Sequence, residues 1–418
     1  MIHGIKGVKD LLPEEAARWQ VIEETARRLS FLYGYREIRV PIFESTELFA
    51  RSIGASTDIV EKEMYTFQDR DGSSLTLRPE ATAGVARAYI EHNLGASATA
   101  QKFFYLGPMF RHERPQAGRL RQFHQYGVES FGSASPLADV EVVSLLWRVL
   151  SELHLPGLTL EINSLGDVAD RPAYKGVLLD FLKRQEEQLC QNCRRRMGTN
   201  PLRVLDCKVP TCKAATEEAP KLTDHLSLNS RQHFEEVLGG LKELGIPYLL
   251  NPRLVRGLDY YTLTTFEVTS QHLGAQNAVG AGGRYDGLVE ALGGPKTPAI
   301  GFAVGIERAS LVLPDSAVPS LGKMVFVAAF GQKGVPVGTR ILHELRTLGV
   351  RSDSDYRATT LKAHLRQADR LGAVFVLIIG DDEAEKGQVI LRNMTSKEQQ
   401  DLPLSTAAQS VASRLSSV

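Results

Sequence analysis

The sequence predicts an α+β fold: a mainly antiparallel sheet with helices on one side, interrupted by an inserted subdomain and followed by a small α/β domain. Three observations lead there. Before residue 313, many strand-like runs are separated by gaps of hairpin length, the spacing that antiparallel pairing uses. From about residue 187 to 224 this pattern breaks, with Cys, Arg, Asn, Pro and Thr replacing periodic apolar residues; with the helix that follows, the insertion extends to about residue 245. Beyond a linker at residues 314–322, helix and strand patterns alternate around VFVLII (374–379), an apolar run of the kind that buried parallel strands show. The expected division is therefore 1–313, with its insertion, and 323–418.

A chain of 418 residues and 46.0 kDa is long enough for two or three domains of ordinary size. Its 43% hydrophobic and 23% charged residues allow each a full core and exclude global disorder. Lys plus Arg and Asp plus Glu both number 49, so net charge offers no general attraction for nucleic acid, although it leaves a local basic groove open. No basic head followed by an apolar stretch begins the chain, and no run of apolar residues is long enough to span a bilayer. A cytoplasmic protein without a membrane segment is expected. All four cysteines fall between Cys190 and Cys212, unlike a dispersed disulfide framework, which points to a reducing compartment.

Residues 13–33 place Ala17, Val21, Ile22, Ala26, Leu29 and Leu32 at steps of three and four, the spacing of an amphipathic helix that Gly34 stops. Residues 35–41 alternate as a strand, and Pro41 confines it to an edge. A hairpin is expected around Asp71 and Gly72, followed by LRPEAT (77–82) and a helix to about residue 92. Long strands near 102–110 and 122–131 flank a basic loop carrying Arg111, Glu113, Arg114, Gln116, Arg119 and Arg121. Helix 136–153, strand 158–163 and helix 171–186 precede the insertion; helix 231–244 and strands near 263–269 and 276–280 follow it. The run AGGRYDG (281–287) reads as turns, and a strand and helix at 299–313 close the first region.

Four features could carry chemistry. Guanidinium forks in the 111–121 loop suit phosphate, and Phe123 offers an aromatic face for a purine, although a solvated hairpin tip is the plainer reading of the loop alone. In LVRGLDYY (254–261), an Arg, an Asp and two Tyr stand before a strand. Arg308 sits on the first turn of a helix, where its charge opposes the dipole unless an anion neutralises it. Cys190-x-x-Cys193 and Cys207-x-x-x-x-Cys212 have the spacing of a four-thiolate structural Zn²⁺ site in a segment with too small a core of its own; ordinary reduced cysteines are the alternative. Such a site is expected to be remote from the other three features. Neither a Gly-x-Gly-x-x-Gly turn nor a P-loop is present, so Rossmann and P-loop nucleotide binding have no support.

Taken together, these pieces resemble the class II aminoacyl-tRNA synthetases. The helix, strand and Pro41 look like their first motif, FRHER (110–114) through Phe123 like the second, and residues 301–308 like the third. LVRGLDYY (254–261) and AGGRYDGL (281–288) are similar to the two signatures of the histidyl-tRNA synthetase family, and the likeness extends to LRPE (77–80), NPLRVLD (200–206) and residues 362–372. The resemblance implies a histidine-activating ligase using ATP and Mg²⁺, a histidine tRNA partner, a homodimer and a C-terminal anticodon-binding domain. It implies ATP contacts at Arg111, Glu113, Arg119, Phe123 and Arg308, and histidine contacts at Glu80, Thr82, Gln125, Glu129, Tyr261 and Tyr285. It further implies Arg256, with Arg111 and Arg308, as the catalytic cations, and Arg114 and Gln116 as contacts to the tRNA acceptor end. Ala81 departs from the glycine common at this point of the family's loop, which leaves amino-acid affinity more open than identity. The rival reading is the non-aminoacylating paralogue that regulates ATP phosphoribosyltransferase; a sister class II enzyme is disfavoured by the two signatures.

Overall fold

The computed structural model describes the chain apart from residues 1, 55–56, 97–98, 256, 259, 275–276, 320–321 and 418, and apart from the side chains of 416 and 417. Two compact units emerge, Met1–Val318 and Pro319–Val418. The first runs through α1 (Pro13–Leu32), β1 (Arg36–Glu37), β2 (Phe43–Ser45), α2 (Thr46–Ile53), β3 (Tyr65–Gln68), β4 (Ser74–Leu77) and α3 (Thr82–Glu91). Next come β5 (Gln101–Phe110), β6 (Gln122–Phe131), α4 (Pro136–Glu152), β7 (Leu158–Ser164), α5 (Arg171–Arg184), α6 (Gln191–Thr199) and α7 (Pro210–Ala215). The unit ends with α8 (Leu228–Glu243), β8 (Leu249–Leu250), β9 (Thr262–Ser270), β10 (Ala278–Arg284), α9 (Leu288–Ala291), β11 (Ala299–Gly305) and α10 (Ile306–Val312).

Helix α1 begins where Pro13 presets the first turn, with Glu14 and Glu15 complementing its dipole, and it buries Trp19, Ile22, Ala26 and Leu29. The strand after it is shorter than its alternation suggests. Only Arg36 and Glu37 enter the ladder, and the Ile38 amide adds one bond of 2.8 Å to Phe104 O before Pro41, which has no N–H to give. Gly72 supplies the positive φ of the β3–β4 turn, closed by its own amide on Asp69 O at 3.0 Å.

Eight strands form one sheet in the order β1-β5-β6-β11-β10-β9-β7-β8, antiparallel except for the short pairings of β1 with β5 and β7 with β8. Alternation divides its two faces. Phe104, Tyr126, Val128, Phe266, Val268, Ile300, Phe302 and Val304 pack with residues of α1, α4 and α8 in the main core. The opposite face bears Tyr105, Phe123, Gln125, Glu129, Gly301 and Ala303, and it is there that a pocket opens.

Two expectations are corrected. The glycine run at 280–283 is not a turn but the middle of β10, paired on both sides. A Cβ at Gly282 would stand inside contact distance of Gly301 O and 2.7 Å from both Phe266 Cζ and Phe302 Cβ; one at Gly283 would stand 2.6 Å from Thr264 O. Glycine is used here for close approach, not for a bend. The insertion likewise has a core: Tyr174, Leu178 and Leu182 of α5 pack with Leu189, Cys193, Met197, Val204, Leu205, Cys212, Leu222 and Leu226. Its helices α6 and α7 are too short for a periodic signal, so the sequence shows only their polar residues.

The second unit consists of β12 (Met324–Ala329), α11 (Gly334–Thr347), β13 (Ser352–Asp353), α12 (Leu361–Arg370), β14 (Ala373–Ile379), α13 (Asp381–Lys386), β15 (Gln388–Asn393), β16 (Gln399–Pro403) and α14 (Ala407–Ser417). Its sheet has the order β13-β12-β14-β15-β16, with β12 parallel to both β13 and β14, and apolar clusters cover both faces. The run at 374–379 lies in β14 at its centre, as its composition predicts.

Gly282→Ala is expected to destabilise the fold by about 3 kcal/mol, since the new methyl meets backbone and two packed rings. Gly287→Ala, where nothing among the described residues stands within 4 Å of the added Cβ, serves as the control. Urea midpoints measure the contrast, and equal midpoints would contradict the packing described.

Candidate active site

The pocket on the open face of the sheet has a volume of about 940 Å³. Its floor is possible because side chains are missing from three neighbouring strands. A Cβ at Gly127 would overlap the Tyr105 ring, one at Gly301 would overlap the Glu129 carboxylate, and one at Gly107 would meet the Arg78 guanidinium. The glycines let these three side chains lie across the sheet.

At the inner end stand two buried carboxylates. Glu129 Oε1 accepts from Thr82 Oγ1 at 2.6 Å, and Oε2 accepts from the Tyr285 hydroxyl. Glu80 accepts the backbone amides of Thr82 (2.7 Å) and Ala83 (2.9 Å), which caps the start of α3 and fixes the carboxylate. Loss of hydration raises both, Glu129 to about 8, against the lowering effect of these hydrogen bonds. Beside them Gln125 Oε1 is a buried acceptor with no partner among the described residues. Two acids and an unused acceptor, all desolvated, await a positively charged or N–H-rich ligand.

The other end is cationic. Arg111 donates through Nε to Pro79 O at 2.9 Å and places its guanidinium carbon 5.2 Å from the Phe123 ring centroid. Arg119 pairs with buried Glu113, and Arg111 Nη1 reaches the same carboxylate at 3.9 Å. Arg308 donates to Gly118 O (3.2 Å) and Ala278 O (3.0 Å), so backbone carbonyls, and not an anion alone, hold it on its helix. Burial first, and then the charge of Arg119, lowers the Arg308 guanidinium below its ordinary range. Guanidiniums crowded this way make a site for a multiply charged anion.

Of the residues singled out in the sequence, Glu80, Thr82, Arg111, Glu113, Arg119, Phe123, Gln125, Glu129, Tyr261, Tyr285 and Arg308 line this one pocket. Arg256 lies outside the described residues. Arg114 and Gln116 are exposed on the loop between β5 and β6, away from the pocket lining. The second signature divides by role. Tyr285 faces the pocket, whereas Arg284 is wholly buried and bonds Asp139 Oδ2 (2.8 Å), Asp286 Oδ1 (3.0 Å) and Ser133 O (2.9 Å), tying β10 to α4. Sequence reasoning missed Tyr105 and Glu267, which also line the pocket; each sits in an ordinary strand pattern, and only cross-strand register reveals its face. The four cysteine sulfurs lie within 4.8 Å of one another. The expected remoteness is corrected, because Cys207 and its neighbours Asp206 and Lys208 form part of the pocket wall.

The sheet order, the placement of the second and third motifs about one cavity and the separate C-terminal unit define a class II aminoacyl-tRNA synthetase. A sequence model described as histidyl-tRNA synthetase matches residues 7–309, and one described as an anticodon binding domain matches 324–414. The chain therefore belongs to the histidyl-tRNA synthetase family. It is 51% identical over 416 residues to a histidine–tRNA ligase of Desulfatibacillum aliphaticivorans, covering 99% of each chain. With a histidine–tRNA ligase of Trichlorobacter lovleyi the identity is 52% over 411 residues, covering 98% of each. The apo crystal structure of the S. aureus histidyl-tRNA synthetase superposes with a TM-score of 0.82 at 38% identity, covering 99% of this chain and 100% of that one.

The raised Glu129 has a consequence for stability. Its ordinary value is 4.5, so as pH climbs from there toward about 8 the unfolded chain loses a proton that the folded chain retains, and the fold loses stability. Glu129→Gln removes this dependence. The thermal midpoint of the unliganded variant is expected to rise relative to the unsubstituted protein between about pH 5 and 8; a gap that stays constant across that window contradicts the buried, proton-holding carboxyl.

Proposed function

We propose that this chain is a histidine–tRNA ligase: it activates L-histidine with ATP to histidyl-adenylate and pyrophosphate, then transfers the histidine to the 3′ end of its tRNA. The observation that carries this reading is the division of one pocket into a buried acidic end and a guanidinium end. A histidine ammonium fits Glu80, Thr82 and Gln125, and the imidazole N–H groups fit Glu129, Tyr261 and Tyr285. The adenine ring lies on Phe123, whose face Arg111 partly covers, and the triphosphate meets Arg111, Arg119 and Arg308, with Glu113 orienting Arg119. Glu113 and Glu267 supply oxygen donors of the type Mg²⁺ takes, and the ion would offset triphosphate charge and favour departure of pyrophosphate.

The chemistry asks little proton traffic of the protein. The histidine carboxylate is ionised at neutral pH and needs no base to attack the α-phosphorus. Negative charge grows on the phosphoryl oxygens, and a fixed cation there stabilises the transition state more than the ground state. Arg256 is assigned this role, together with Arg111 and Arg308. Arg114 and Gln116, exposed on the loop rim, are assigned to the acceptor end of the tRNA, and the C-terminal unit to the anticodon. High identity along nearly the full length of ligases, including that unit, favours this reading over the regulatory paralogue. The setting is a reducing, cytoplasmic compartment, in keeping with four unpaired cysteines.

Histidine-dependent ATP–pyrophosphate exchange, screened across amino acids, tests the activity; a folded protein with no exchange overturns it. Arg256→Ala is expected to lower kcat by roughly 10² to 10³ with histidine and ATP KM little changed, as for loss of one oxyanion donor. A raised KM with kcat intact would make Arg256 a binding residue. We also propose a homodimer through α1 and β1, an amphipathic helix beside an exposed sheet edge. Light scattering is expected to give about 92 kDa, twice the chain mass of 46.0 kDa; a fully active 46.0 kDa particle argues against it.

A further inference from the structure

We propose that Cys190, Cys193, Cys207 and Cys212 bind one zinc ion, and that this zinc anchors the pocket-wall residues Arg253 and Gly257. The geometry is that of a closed four-thiolate site. All four sulfurs lie within 4.8 Å of one another, and Cys190 Sγ is 4.0 Å from Cys207 Sγ. Sulfurs placed tetrahedrally around zinc at about 2.3 Å stand about 3.8 Å apart, whereas a disulfide brings them to about 2.05 Å. An iron–sulfur cluster, which interposes several irons and sulfides, needs its cysteines more widely spread. The Cys190 amide donates to Cys212 Sγ at 3.0 Å, the kind of outer bond that orients a thiolate ligand. On binding, the four thiols release their protons and leave a site of net charge about −2. Lys208 and Lys213 directly follow two of the ligands in the chain.

From the cysteines, hydrogen bonds lead straight to the pocket wall. Cys212 O accepts from Thr216 Oγ1 at 2.8 Å, and Thr216 Oγ1 in turn accepts from Arg253 Nη2 at 2.7 Å. Arg253 Nη1 donates to Thr216 O at 2.7 Å, and Nη2 also reaches Leu205 O, two residues before Cys207, at 3.2 Å. At the other end Arg203 Nη1 donates to Gly257 O at 3.1 Å, while the Cys207 amide bonds back to Val204 O at 3.2 Å. The bound ion thus ties the segment that carries Cys207 and Cys212 to the start of α6, and Arg203, Leu205 and Thr216 of that segment hold residues 253 and 257. Between these grips lie Leu254 and Val255 of the pocket lining and position 256, so the zinc acts as a positioning element for the adenylation site; only this last step rests on the function proposed above.

The test uses the untagged full-length protein purified without chelator. Elemental analysis is expected to find close to one zinc per chain, and growth with cobalt to yield the thiolate-to-cobalt absorption of a tetrahedral sulfur site. Iron in place of zinc, disulfides, or four freely titrating thiols with no metal overturns the site. Cys207→Ser is expected to lose zinc and to speed amide hydrogen exchange in residues 250–258. Because that variant can fail to fold, Thr216→Val is the second arm: it keeps its zinc, yet is expected to show faster exchange in the same residues and a kcat for pyrophosphate exchange lower by about 10-fold, the scale of an outer-shell loss. Unchanged amide exchange in Thr216→Val overturns the anchoring. Bound zinc and a protected segment without any histidine-dependent activity would instead remove the ligase reading and leave this one standing.

Discussion

Everything the pocket does depends on a steric constraint: the sheet must be bare where the ligand-facing side chains cross it. Glu129 lies where a side chain on Gly301 would be, and Tyr105 lies over Gly127. These absences on β6 and β11 are tolerable because the same strands are filled on their other face by Tyr126, Val128, Phe302 and Val304, packed with residues of α1, α4 and α8. One face supplies the stability that the other gives up. The pairing at Gly282, with Phe266 and Phe302 close on either side, keeps the strands at the separation on which the arrangement relies.

Laying carboxylates flat on that sheet takes them out of water. A buried acid is unfavourable when ionised, and the hydrogen bonds from Thr82 and Tyr285 compensate Glu129 only in part, so it holds its proton to about 8. Across the pocket the same desolvation acts on Arg119 and Arg308 in the opposite sense, lowering both. Each end is therefore uncomfortable alone and improved by a ligand of opposite charge. A zwitterionic amino acid joined to a polyphosphate satisfies both ends at once. Preorganisation of this kind is paid for by the fold before the substrates arrive, and it is largest in effect where charge develops during reaction.

Much of this was legible in the residues. Helix α1, the long hairpin of β5 and β6 and the central strand β14 follow from periodicity and length, and the basic loop between β5 and β6 announced an anion site by its arginines. What failed to show was whatever depends on contacts distant in sequence. The glycines of β10 look like turn formers until Thr264 O and Gly301 O are seen beside them. Arg284 and Tyr285 are neighbours in the chain, yet one is a buried tie to Asp139 and the other a pocket residue; nothing local distinguishes them. Tyr105 has no signal apart from its register opposite Gly127. The insertion hides its core in helices too short to display a period, and for the same reason its approach to the pocket through Arg203 and Arg253 was invisible.

The central claim is that the pocket holds a desolvated carboxyl in its protonated form until histidine arrives. Infrared difference spectroscopy reads this directly, through the carbonyl stretch of a protonated carboxylic acid, comparing the protein with Glu129→Gln. The account predicts a band assignable to Glu129 that titrates away near pH 8 in the free protein and disappears at neutral pH when histidine is bound. A carboxyl that titrates near its ordinary 4.5, with no change on adding histidine, would contradict it.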